Sequence, residues 1–118
     1  MDMEVNLRLL IDLLGKKEEI MTEIYNIVMN QKTIIMQDGD YLQLLREIAD
    51  VVKEKTLEVN EIDTKFQEEY DKISKELSEN KESYKGYINI MKEKIKINTE
   101  LKLKIKLQED KNKELMTE

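Results

Sequence analysis

The chain has 118 residues, enough for one domain, and contains no Pro, Cys, His or Trp. The missing cysteine and histidine exclude disulfides, thiolate nucleophiles, imidazole bases and the soft metal ligands. Charged residues make up 39% and the net charge is −6, a balance that suits long solvated helices and argues against a nucleic-acid surface.

The first predicted element covers residues 4–37. Leu7, Leu10, Leu14, Met21, Ile24, Val28 and Ile35 follow alternating three- and four-residue steps, and only Lys17 and Gln31 interrupt them. That is a heptad seam. Leu13, Ile20, Ile27 and Ile34 run beside it and widen the stripe to the breadth that a bundle needs. Met29 and Met36 also flank it, near Tyr25, and Asp2 is placed to cap its start.

Asp38-Gly39-Asp40 punctuates the pattern. Gly39 is suited to the left-handed conformation that ends a helix, and Asp40 to the N-cap of the next, with Gln43 in the capping-box position. So short a connection makes the two helices antiparallel neighbours. The second element covers 40–77, with Tyr41, Leu45, Ile48, Val52, Lys55, Val59, Ile62 and Phe66 on one seam. Phe66 to Tyr70 adds a second consecutive four-step, a stutter, before Ile73 and Leu77 resume.

A polar stretch, Ser78 to Ser83, followed by Gly86, marks a bend near 78–86. The third element covers 84–115. Its apolar residues fall at odd positions from Ile95 to Leu107, with lysines between them. Period two is the signal of a strand, but no second strand or hairpin turn is present to pair with it, so the segment is expected to be helical. On a helix the alternation makes two stripes, one with Ile97, Leu101 and Ile105, the other with Leu103 and Leu107. One stripe is enough to dock on the chain itself. The surplus assigns partner binding to Tyr84, Ile88, Met91, Ile95, Ile97, Leu101, Leu103, Ile105 and Leu107, on a segment expected to be partly flexible. Residues 81–118 carry a net charge of +3 against −9 for 1–80, so this segment would dock on its own hairpin with weak electrostatic help.

The expected fold is all-α: a long antiparallel hairpin with a third C-terminal helix, forming one elongated three-helix bundle or coiled coil over 1–118. No apolar run approaches the roughly 20 residues of a spanning helix. No N-terminal stretch reads as a signal peptide, so a cytoplasmic, non-enzymatic protein is expected, with no cofactor, metal or nucleic acid.

Certain residues carry a family likeness. Leu9-Leu10 with Leu13-Leu14, Glu18-Glu19, Gln31-Lys32, Gln37-Asp38-Gly39-Asp40, Leu44-Leu45, and Val59-x-x-Ile62-Asp63-x-x-Phe66 together resemble the FlgN-like flagellar chaperones over residues 7–73. Val51-Val52-Lys53 stands where members often carry a basic-Gln pair, and Gln31 where an acid is common, which leaves the filament-cap chaperones open as a sister group. The resemblance implies an export chaperone that holds hook-associated junction proteins before type III secretion and docks on the export machinery. A homodimer is compatible with the stripes. The competing class is structural: a self-associating coiled-coil scaffold or a prefoldin-like subunit.

Overall fold

The computed structural model describes residues 2–37 and 39–117. They form three α-helices: α1 (Met3–Ile35), α2 (Leu42–Glu79) and α3 (Lys85–Thr117). The molecule measures 59 × 19 × 17 Å and is an elongated three-helix bundle. Each helix end falls within two residues of the expected 4–37, 40–77 and 84–115, within the usual scatter of helix termini. The alternating stretch of residues 95–107 is helical throughout.

Local chemistry sets the ends. Asp2 caps α1, its Oδ1 accepting the Glu4 N–H at 3.0 Å. α1 stops earlier than Gly39: the Met36 N–H closes the last turn on the Lys32 carbonyl at 3.1 Å. Gly39 has φ +140°, a conformation open to glycine but distinct from the left-handed helical cap expected of it. It bends the connection instead; Asp38, the first residue of the expected turn, lies outside the described residues. Asp40 is not the N-cap expected of it: Tyr41 holds that position, and the Asp40 carboxylate accepts the Leu42 N–H at 3.2 Å from one residue before it. The capping box does not form: with Tyr41 at the N-cap, Gln43 is off the capping-box position, and its amide donates forward to Glu47 at 3.4 Å. The second boundary is a turn over 80–84, where the Asn80 amide donates to the Glu76 carbonyl at 2.8 Å.

The α1–α2 hairpin is antiparallel, and its polar interruptions fix its register. Lys17, one break in the α1 seam, meets Asp63 at 2.6 Å. Lys55, the break in the α2 seam, meets Glu23 at 2.7 Å. Phe66 and Tyr70, the stutter pair, stack with centroids 6.1 Å apart and pack on the cluster of Leu7, Leu10 and Leu14. An antiparallel hairpin that brings Leu10 or Leu14 near Phe66 or Tyr70 gives this packing.

The third helix runs parallel to α1. Asn98 Nδ2 donates to the Leu14 carbonyl at 3.1 Å, and Asn112 Nδ2 to the Val28 carbonyl at 3.0 Å. Both bonds span the same 84 positions, so α1 and α3 stay in register over the two heptads between them. Asn112 also reaches Gln31 Oε1 at 3.3 Å, which gives the second break in the α1 seam its partner.

Two apolar clusters fill the interior. One joins Leu7, Leu10, Leu14, Ile73, Leu77 and Met91, and the other Met21, Ile24, Val28, Val59 and Ile105. Both draw on all three helices, but α1 supplies most of the buried residues, because it is the one helix that packs along both of the others.

Candidate functional site

α2 and α3 each pack along α1, yet no Cα of α2 lies within 8 Å of any Cα of α3. Neighbouring packed helices sit about 8–10 Å apart between axes. A cleft therefore runs between α2 and α3, reached by α1 only at one end, through Lys17, Met21 and Ile24. It holds two hollows, of about 540 and 230 Å³. The larger is walled by Phe66, Tyr70 and Leu77 from α2 and by Ile88, Met91 and Ile95 from α3. The smaller lies over Met21 and Ile24, between Val59 and Ile105.

The two walls differ in charge. Lys92, Lys102 and Lys106 line the α3 side. The α2 side presents Gln67, Ser74 and Ser78 along the larger hollow, with Lys81 in the turn at its end, and Thr56, Asn60 and Asp63 along the smaller. Asp63 is already engaged by Lys17. Glu109 lines the smaller hollow, and burial pushes its carboxyl above the usual range; Lys113 pulls against that shift and Asp110 adds to it. Apolar surface, amides, hydroxyls and lysines are the groups of non-covalent association.

The nine residues expected to bind a partner separate into three sets. Ile88, Met91 and Ile95 come together in the larger hollow, and Ile105 lies in the smaller. Met91 and Ile105 are nevertheless buried in the bundle's own clusters, with Tyr84, Ile88 and Leu101 packed against those clusters half-buried. Ile97 is half-buried. Leu103 and Leu107 face out, 58% and 51% exposed, and Ile95 is 44% exposed. The two opposite stripes of α3 are thus real: Leu101 and Ile105 dock inward, while Leu103 and Leu107 look outward.

Other residues that shape this region carry a weaker sequence signal. Asn98, Gln108 and Asn112 are buried on the docking seam of α3, where a search for apolar residues passes over them. Their signal is positional: Asn98 and Asn112 stand two heptads apart on the series that contains Met91 and Ile105. Phe66, Tyr70 and Leu77 were legible as α2 core residues, but not as the wall of an opening. Met36 is 65% exposed, so of the flanking methionines Met29 alone is half-buried.

No family model, curated protein or solved structure matches the chain. Among the described residues there is no group of three or more Asp or Glu placed to hold a metal ion, and no helix is long and apolar enough to cross a membrane.

Proposed function

We propose that this chain is a non-enzymatic export chaperone that holds a helical segment of flagellar hook–filament junction proteins before type III secretion. The observation that carries the proposal is the α2–α3 cleft, whose larger hollow is lined by Phe66, Tyr70, Ile88 and Ile95. Helix-in-groove recognition needs such a cleft, with anchors at three- and four-residue spacing. The flagellar part of the reading rests on the FlgN-like residues of 7–73. The outward pair Leu103 and Leu107 then remains for a second contact, the one such a chaperone makes with the export machinery.

One observation favours the scaffold reading. Leu42, Leu44, Val51 and Met36 are exposed around the hairpin turn and would be covered if two copies met there. Calorimetric titration of hook-associated junction subunits into the full chain, with sedimentation of the chain alone, separates the two. The chaperone reading expects saturable one-to-one binding by a monomer. A stable dimer that takes up no junction subunit overturns it in favour of the scaffold.

A further inference from the structure

We infer that the α2–α3 cleft is built for an amphipathic helix with an acidic flank, lying with its apolar face over Phe66, Tyr70, Ile88 and Ile95 and its acids against α3. The inference rests on the chaperone reading only for the biological source of that helix. The two hollows lie in line beside α2 from Thr56 to Lys81, about 38 Å at the α-helical rise, which matches an occupant of about 25 residues. The apolar lining open to a guest is Phe66, Tyr70, Ile88 and Ile95 at the larger hollow, whereas Met21 and Ile24 beneath the smaller one are buried, so the occupant needs an apolar stripe that seats on the larger hollow.

Charge then orients it. Lys92, Lys102 and Lys106 stand along one wall, while the opposite wall is mostly neutral amides and hydroxyls, with Lys81 at its end and Lys17 engaged by Asp63. Asp63 is held by Lys17, so Glu109 is the acid left in the smaller hollow, and burial already disfavours its charged form. The cationic wall therefore asks for carboxylates on the side of the guest that faces α3, and a guest with lysines there would meet like charge.

A second copy of the chain is a poorer fit. Its exposed α3 pair, Leu103 and Leu107, is bordered by Lys102, Lys104 and Lys106, which would repel the lysine wall. Its exposed apolar residues on α2 with acids nearby, Leu44, Val51 and Leu57, span about 20 Å at the helical rise, about half the length of the cleft.

The test uses the full chain and a fluorescein-labelled synthetic peptide of about 25 residues, the length set by the helical rise. The peptide carries leucine along one face and glutamate along one flank, with alternate seam positions alanine to keep it monomeric. A matched peptide carries lysine on the flank. Anisotropy should show the glutamate peptide binding at least about tenfold tighter at low salt, with the gap narrowing as salt is added. The triple variant Lys92→Glu/Lys102→Glu/Lys106→Glu changes surface residues only and should reverse the preference. Ile95→Asp, at an exposed position, should weaken both peptides. Equal affinity for the two peptides, no binding by either, or a dimer that the peptide cannot enter overturns the assignment. The chaperone reading fails separately: peptide binding without junction-subunit binding keeps the cleft and removes the client, whereas junction subunits that bind wild type and the triple variant equally keep the client and remove the cleft.

Discussion

Gly39 holds φ +140°, and a Cβ built on it would stand 2.9 Å from Cε2 of Tyr41. Backbone strain and ring displacement act together, so Gly39→Ala should lower the unfolding free energy by about 1–3 kcal/mol, read from urea melts. A loss near zero would mean that the connection relaxes freely. Glu109 makes a prediction about pH. Burial raises its folded pKa above the ordinary 4.5. The folded state then binds the proton more tightly than the unfolded chain, so stability falls as pH rises from 4.5 through the folded value. Glu109→Gln removes that loss. The variant should melt higher than wild type at neutral pH, and its advantage should vanish in acid below 4.5. Lys102 and Lys106 line the same hollow and Lys113 opposes the shift, so the gain is small. An advantage that does not change with pH would show that Glu109 is not desolvated. The sequence revealed some of these single-residue roles and not others. Asp2 stood where an acid caps a helix, whereas the shift of the second cap from Asp40 to Tyr41 and the forward bond of Gln43 to Glu47 were not legible.

At the scale of elements, the α1–α3 seam is the most specific feature. Asn98 and Asn112 are buried, two heptads apart, and each donates to a backbone carbonyl of α1. A polar residue at a buried seam position commonly fixes register at some loss of stability. Asn98 illustrates the loss, because its Oδ1 is buried with no partner among the described residues. Replacing both with leucine should hold or raise the melting temperature while allowing α3 to slide by a heptad. Amide NMR spectra then test the pair: one set of peaks for wild type, multiple or broadened sets for the double variant. A single sharp set in both would remove the register role. Legibility also differed among the helices. The α1 seam was plain because three apolar residues recur in nearly every heptad. The α3 seam was obscured because Ile97, Leu103 and Leu107 draw attention to other faces, while the docking face itself carries Asn98, Gln108 and Asn112.

At the scale of the molecule, α1 is a spine shared by two helices that do not pack on each other. This explains why α2 has only three fully buried residues, Val59, Ile73 and Leu77, although its seam is nearly continuous: each seam side chain has one full neighbour. It also places the largest sensitivity on α1. Ile24, 4% exposed, belongs to the cluster that joins all three helices. Ile24→Asp should cost several kcal/mol through lost packing and a desolvated charge, and coincident melts of mutant and wild type would refute the shared-spine arrangement. The breadth of the α1 stripe pointed to two neighbours. The spacing between those neighbours was not legible, because a stripe records how wide a buried face is and not how far apart the helices covering it lie.

Under the proposed function, the α1 spine requires α3 to stay seated when a client helix binds, in contrast to a C-terminal segment that detaches to bind. Spin labels at Asp12 and Lys96 test this directly, since both residues are exposed and their separation of 84 positions is that of the two asparagine bonds. The expected result is one short distance, set by helix axes about 10 Å apart, that is unchanged when a junction subunit saturates the chain. A distance of about 40 Å or more in the free chain, as when α3 continues α2 instead of folding back, or a lengthening when the client binds, would contradict it.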